Sequence, residues 1–278
     1  AGTPVFPGGA FVEMMLEALQ GEWPDDRVEL RGVIFERAAV LPDDGRRTFC
    51  TRFELDDSGA IRVEVFGRHP DSPSTDESWE RHATAMAVLG TAGDEAPASV
   101  DTDVLRQSFG DAIDIEKHYA DMAADGLDYG ESFRGLRTLQ GSVARPAEAV
   151  ADVVLPGYVS ARSYLIHPAL LDACLHAIGA AQRGLAVAPG AFLPVGVDRI
   201  ELGRGIQVPG QGGDDRKPLC DVLCHVRVRP TSNADALSAD IDVHHAGVLA
   251  MRLHGLALQP HRQHSRMVDI DIGAERVG

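Results

Sequence analysis

The chain has 278 residues, of which 44% are hydrophobic and 24% are charged, and its net charge is −16. This length can bury one large core or two smaller ones. The acidic excess argues against a nucleic-acid partner, because binding to phosphates needs a basic surface. No apolar run approaches the length needed to cross a bilayer, so no membrane role is expected.

The four cysteines show neither a C-x-x-C pair nor a zinc spacing with histidine. No signal peptide is visible at the start of the sequence. Both features predict a protein of the reducing cytoplasm. The sequence opens abruptly, and we expect its first unit to be truncated.

The first part of the chain predicts one helix followed by strands. The turn Pro7-Gly8-Gly9 leads into an amphipathic helix that ends near Gly21. Its stripe of Phe11 and Met15 should face a core, with Glu13 on the opposite side. β-branched and aromatic runs separated by turn signals then predict strands at 28–35, 48–55, 61–68 and 79–89.

The second part repeats this order. A small, acidic stretch predicts a linker at 93–108, between halves at 1–92 and 109–278. Helices are predicted at 115–126 and at 167–179, the latter reading H-P-A-L-L-D-A-C-L-H-A-I-G. Strands are predicted at 147–155, 192–202, 219–228, 238–245 and 248–258, and the polar tail after Pro260 should be loosely held.

Each half therefore contains a proline, one apolar helix and a series of strands. One helix packed on a long antiparallel sheet is an α+β arrangement. Two such halves predict a pseudo-dimer, and the cleft between them is the default position for a site.

Asp172 and His176 are the most unusual residues of the second apolar helix. They are four positions apart and therefore share one face. A buried carboxylate is costly unless it has a partner or is protonated. The spacing alone fits either a structural ion pair at the edge of the helix or half of an active site.

Five stretches in order resemble the dehydratase domains of modular polyketide synthases, which have a double-hotdog fold. They are G-T-P-V-F-P-G from Gly2, Y-G-E-S-F from Tyr129, the D-x-x-x-(Q/H) pattern at Asp172, F-L-P-V-G-V from Phe192 and L-H-G-L-A-L from Leu253. The resemblance implies a fold of two hotdog halves, each with a long antiparallel sheet wrapped around a central helix.

The resemblance also implies chemistry, namely loss of water from a β-hydroxyacyl thioester. In the family's H-x-x-x-G-x-x-x-x-P motif the catalytic base is a histidine, which would lie three positions before Ala1. The acid would be Asp172, supported by His176. The Gly8 N–H, at a helix start, is a candidate for polarising the thioester carbonyl.

The same motifs imply a substrate-binding role for the residues around this chemistry: Pro7, Tyr129, Phe133, Leu193 and Pro194. No metal is expected, since His82 and the His244–His245 pair lack carboxylate or cysteine neighbours at ligand spacing. The absence of Gly-rich nucleotide motifs favours a cofactor-free reaction. The resemblance implies that the substrate is carried on the phosphopantetheine of an acyl carrier protein. Ketoreductase and ketosynthase domains and a second copy of the chain are the other expected partners.

Several alternatives remain. A related double-hotdog domain could also close a pyran ring or shift the double bond. A catalytically silent scaffold domain is possible if the upstream histidine is missing. A hotdog thioesterase is disfavoured by the motifs at Tyr129 and at Leu193–Pro194.

Overall fold

The computed structural model describes residues 3–42, 46–69, 71–72, 78–91, 99–161, 164–185, 190–203, 219–233, 236–260 and 265–267. The α-helices are α1 (Gly8–Glu22), α2 (Thr102–Gln107), α3 (Ile115–Ala124), α4 (Pro168–His176) and α5 (Ile178–Ala181). The strands are β1 (Thr3–Pro4), β2 (Asp26–Phe35), β3 (Thr48–Leu55), β4 (Ile61–Arg68), β5 (Glu80–Thr91), β6 (Asp111–Ala112), β7 (Leu127–Tyr129), β8 (Leu136–Gly141), β9 (Glu148–Val154), β10 (Phe192–Leu202), β11 (Asp221–Pro230), β12 (Leu237–His245), β13 (Val248–Pro260) and β14 (Ser265–Met267).

Eleven of these strands form one continuous sheet in the order β3-β4-β5-β2-β10-β13-β12-β11-β9-β8-β6. The strands that precede residue 92 occupy one end and the later strands the other. The two sets meet where β2 pairs antiparallel with β10, with Leu30 opposite Ile200 and Val33 opposite Val197. All four side chains are buried, so apolar packing accompanies the backbone hydrogen bonds at this seam.

The predicted strands are confirmed to within two or three residues at their ends. Their alternation is clear in β4, where Ile61, Val63 and Val65 point into the core and the residues between them are more exposed. Helix α4 also lies where the sequence predicts it, with Pro168 at the first helical position and His167 as the N-cap. Helix α4 ends at His176, and the short α5 begins at Ile178. The single helix predicted at 167–179 is therefore two helices.

Helix α1 corrects one expectation. Glu13 was predicted to face outward, but its side chain is buried, and its two carboxylate oxygens accept the backbone N–H groups of Leu165 (2.7 Å) and Ile166 (3.1 Å). The reason is that α1 lies between the sheet and the segment entering α4, so both sides of the helix are covered. Two amide donors offset the cost of burying the carboxylate.

The tail after Pro260 was also wrongly predicted to be loosely held throughout. Ser265–Met267 forms the central strand of a small parallel sheet between β1 and β7. Helix α2 lies inside the segment for which a linker was predicted. Its Arg106 contacts Asp152 of β9 at 2.7 Å.

Gly196 tests the seam between the two ends of the sheet. A Cβ at this position would lie 2.7 Å from the backbone oxygen of Val33, where β10 has a bulge. We expect Gly196→Ala to reduce the free energy of unfolding by about 1–3 kcal/mol, because the backbone must shift. Urea unfolding followed by tryptophan fluorescence measures it.

Gly21→Ala is the control, since no atom lies within 4 Å of a Cβ there. It should leave stability unchanged or raise it by up to about 1 kcal/mol, because alanine favours the helix. Equal effects of the two variants would show that the seam does not depend on the glycine.

His167 predicts a pH dependence of stability. Its Nδ1 accepts the Ala169 N–H at 3.1 Å, which requires the neutral ring, and burial lowers the pKa of His167 to about 4. In the unfolded chain His167 takes up a proton near pH 6.5. The stability contributed by the neutral His167 ring is therefore fully present above pH 6.5 and is lost as the pH falls to 4. The loss is on the order of 3 kcal/mol.

Asn at the same position can cap the helix but does not titrate in this range. His167→Asn should therefore lose less stability than the native chain between pH 6.5 and 4, measured by urea unfolding at each pH. Contributions from the other histidines are common to both proteins and cancel. Parallel pH curves would contradict the assignment.

Candidate active site

The site begins at a close contact between the two central helices. A Cβ on Gly9 of α1 would lie 3.3 Å from the Pro168 carbonyl oxygen and 3.5 Å from the side chain of Leu171 on α4. The small residue therefore permits close approach of the two backbones. This contact brings the start of α1 and the middle of α4 to the same cavity.

That cavity has a volume of about 700 Å³ and is bounded by both parts of the sheet. Five of the predicted site residues line it: Gly8, Tyr129, Asp172, Leu193 and Pro194. Much of the remaining wall is apolar, including Phe11, Phe35 and Leu175. Polar and charged side chains, among them Arg37, Asp121 and Arg183, form the rest of the wall, so the cavity offers both apolar and polar contacts to a ligand.

Asp172 is only 5% exposed although it lines the cavity. Its Oδ2 lies 3.4 Å from His176 Nε2, one helical turn away. This separation is too long and too poorly aligned for a good hydrogen bond, and neither atom has another partner among the described residues. The pair is therefore poised for a hydrogen bond that a small shift would complete.

His176 lies next to Asp172 but is not among the described residues that line the cavity. It is 1% exposed, and its ring packs 4.0 Å from the ring of Tyr129, measured between centroids. Its Nδ1 is 3.2 Å from the hydroxyl of Tyr119 on α3. The ring is thus held by aromatic contacts and by one hydrogen bond.

Tyr129 presents a neutral hydroxyl to the site. Burial raises the pKa of Tyr129 well above its usual value, and the nearby Asp172 carboxylate raises it further. Phe133, in the short 3₁₀ turn Glu131–Phe133, is buried. Within the described chain, Phe133 and Pro7 pack beside the cavity without lining it.

Pro7 instead caps α1, and its carbonyl oxygen accepts the Ala10 N–H at 3.0 Å. Gly8 is then the first helical residue. The N–H groups of a first helical turn have no carbonyl partner within the helix and lie at its positive end. The Gly8 backbone can therefore stabilise a negatively charged oxygen inside the cavity.

His118 is a cavity-lining histidine that sequence reasoning missed. Its Nε2 donates to the His176 carbonyl oxygen at 3.0 Å, and its Nδ1 accepts from Arg183 at 3.2 Å. Burial lowers the pKa of His118, and the charge of Arg183 lowers it further. Both ring nitrogens are engaged, so this histidine has no free nitrogen for a proton from the substrate.

The other histidines considered for metal binding lie elsewhere. His82 is buried and stacks on Phe11 with centroids 5.6 Å apart, and His244 and His245 lie on β12. No group of three or more His, Cys, Asp or Glu side chains in the described ranges is placed to hold a metal ion. None of the helices described is long and apolar enough to span a membrane.

Tyr119 is the second important residue that the sequence did not single out. It lies in a helix predicted from its pattern, and nothing local distinguishes it from a core aromatic. Its contact with His176 joins positions 57 residues apart. Only the fold reveals the relationship.

Comparisons with known proteins agree with this geometry. Residues 97–267 match the family model for the polyketide synthase dehydratase N-terminal domain, and residues 1–68 match that for the polyketide synthase dehydratase domain. The pikromycin polyketide synthase component PikAII of Streptomyces venezuelae is 32% identical over 194 residues, which is 68% of this chain and 5% of the relative. Pks1 of Mycobacterium tuberculosis, a type I synthase whose name includes the word inactive, is 31% identical over 243 residues, 86% of this chain and 13% of the relative.

Solved structures show the same fold. The dehydratase domain from the CurF module of curacin polyketide synthase has a TM-score of 0.74 at 22% identity, over 92% of this chain and 85% of that one. An isomerase-inactive variant of GphF DH1 has a TM-score of 0.73 at 25% identity, over 94% and 85%. The chain spans only a small part of the curated relatives. It belongs to the dehydratase-domain family of modular type I polyketide synthases, with the double-hotdog fold.

Proposed function

We propose that this domain eliminates water from a β-hydroxyacyl thioester carried by an acyl carrier protein, giving an α,β-unsaturated thioester. The observation that carries the proposal is that Asp172 and Gly8, the first residue of α1, line the same cavity. An acid and an oxyanion donor are two of the three groups that this elimination requires.

The steps follow from these positions. A base removes the α-proton, and the electrons move into the thioester carbonyl, whose oxygen gains negative charge beside the Gly8 N–H. The electrons then return to form the double bond between the α- and β-carbons while the bond to the β-hydroxyl breaks. The Asp172 carboxyl gives its proton to the departing hydroxyl, which leaves as water, and Tyr129 orients that hydroxyl.

The base in this proposal is the histidine that the family motif places three positions before Ala1. His118 is a poor substitute because both its ring nitrogens have partners. An acid must carry its proton before it reacts, so in this proposal the Asp172 carboxyl is protonated when the substrate binds. No metal or other cofactor takes part.

The expected partners follow from the substrate. The acyl carrier protein delivers the β-hydroxyacyl thioester. The β-hydroxyl group must first be made by a reductase that acts on a β-ketoacyl group. The proposal therefore includes neighbouring ketoreductase and ketosynthase domains, in a synthase that is homodimeric and cytoplasmic. We also propose that the first half of the domain ends near residue 92 and that the second half begins near residue 109.

Asp172→Asn tests the acid. In a domain extended upstream to include the expected histidine, we expect the dehydration rate to fall at least about 100-fold, because the amide cannot give up a proton. Loss of 18 mass units from a β-hydroxyacyl carrier protein, followed by mass spectrometry, measures the rate. Asp57→Asn, in an exposed turn, is the matched control and should react normally.

Equal rates for Asp172→Asn and the native domain would sink the acid assignment. A domain whose residue three positions before Ala1 is not histidine, and which fails to react, would instead support the silent scaffold.

Gly8→Pro tests the backbone donor. Proline is well tolerated at the first helical position, and Pro7 has φ −71° and ψ 145°, the extended conformation that a residue before proline favours. The variant should fold but lose the N–H, so the rate should fall about 100- to 1,000-fold. Single-turnover dehydration measures this.

Gly8→Ala is the matched control. Its Cβ would lie 3.6 Å from the Phe35 ring, an ordinary contact, and it retains the N–H. It should therefore keep most of the activity. Similar rates for the two variants would remove the Gly8 N–H from the mechanism.

A double-bond shift is the second candidate, favoured by the 25% identity to a GphF domain whose variant is named isomerase-inactive. It would give a product of the dehydrated mass without the absorbance of a conjugated alkene. Ring closure would share both properties, and proton NMR of the released acid separates the two by the presence or absence of alkene protons.

A further inference from the structure

Tyr119 has no role in the chemistry above, yet its hydroxyl contacts the residue behind the acid. It lies on α3, is 3% exposed and packs edge-on against His176 with centroids 5.6 Å apart. Burial raises the pKa of Tyr119, so the hydroxyl keeps its proton throughout the physiological range.

The hydrogen bonds of this hydroxyl fix its direction. The Leu136 N–H donates to the Tyr119 oxygen at 3.3 Å, and His176 Nδ1 lies 3.2 Å away. Within the described chain these are its hydrogen-bond partners. The Leu136 amide can only donate, so the hydroxyl proton of Tyr119 is directed at His176 Nδ1.

This direction selects one form of the imidazole ring. With its Nδ1 lone pair occupied, neutral His176 carries its proton on Nε2, the atom 3.4 Å from Asp172 Oδ2. The other tautomer would leave the buried hydroxyl proton of Tyr119 without an acceptor.

We propose that Tyr119 is a positioning residue that fixes His176 in the Nε2–H tautomer. In that form the proton on His176 Nε2 is available to Asp172 Oδ2 once a small shift closes the 3.4 Å gap between the two atoms. The proton that Asp172 gives to the substrate is therefore carried by Oδ1, the oxygen that remains free to face the cavity. The tautomer follows from the structure alone, while its catalytic effect rests on the proposed function.

The tautomer is measured by proton–nitrogen correlation NMR on the domain labelled with ¹⁵N-histidine at neutral pH. The His176 signal is assigned by its loss in His176→Gln. We expect a protonated Nε2 and an unprotonated Nδ1 in the native domain. A proton on Nδ1 overturns the proposal, and this arm needs no Tyr119 variant to fold.

Tyr119→Phe removes the hydroxyl and keeps the ring. We expect the His176 signal to change to a mixture of both tautomers, whereas Tyr158→Phe, at an exposed tyrosine, should leave it unchanged. An unaltered His176 signal in Tyr119→Phe would show that the hydroxyl does not set the tautomer.

Activity gives an independent readout in the extended domain. Tyr119→Phe should lower kcat about 10-fold with little change in KM, the effect of one hydrogen bond acting in the transition state. A glutamine amide always has an N–H to offer. Adding Tyr119→Phe to His176→Gln should therefore cost no more than about 2-fold, well below the 10-fold loss beside His176.

A full 10-fold loss in the glutamine background would mean that Tyr119 acts through something other than the tautomer. The two proposals fail separately. If Asp172→Asn reacts at the native rate, the proposed function is wrong, but the NMR result still decides the tautomer. If NMR shows the proton on His176 Nδ1, the tautomer proposal is wrong, but Asp172 can still be the acid.

Discussion

The carboxylate of Glu13 ties the first central helix to the entry of the second, and the positions of the reactive groups depend on that link. It accepts two backbone amides, those of Leu165 and Ile166, from a segment about 150 residues further along the chain. A buried carboxylate tolerates little displacement of its donors, because each lost hydrogen bond leaves a costly unpaired group. The start of α4 is therefore fixed relative to α1.

Because the two helices are fixed in this way, each brings a different kind of chemical group to the cavity. The positive end of α1 lies at the cavity, and Asp172, the proposed acid, lies in the middle of α4 beside the rings of Tyr129 and His176. Electrostatic interactions are stronger where water is excluded, so a few groups suffice. The two helices have similar sequences at their starts, yet one offers backbone amides and the other a side chain.

Local signals allowed much of this to be predicted from the sequence. Pro168 marks the start of α4 because it needs no N–H there, and β-branched runs marked the strands. The family motifs named Tyr129 and Asp172, and the turn at the start of α1 named Gly8; all three residues line the cavity.

Three of the failures involve distant contacts. The sequence pattern of α1 predicts one buried face, which puts Glu13 on the exposed side of the helix. The strand at Ser265–Met267 depends on β1 and β7, which no local pattern reveals. Tyr119 resembled any core aromatic. In each case the partner lies more than 50 residues away, beyond the range over which periodicity carries information.

The pairing of β2 with β10 has a consequence for access to the cavity. Because the backbone hydrogen bonds run across this seam, the two ends of the sheet cannot swing apart like a hinged shell without breaking them. Under the proposed function, an acyl chain therefore has to enter the cavity while this seam stays closed. In the same proposal, the movement that brings the substrate in belongs to the phosphopantetheine arm of the carrier protein and not to an opening of the sheet.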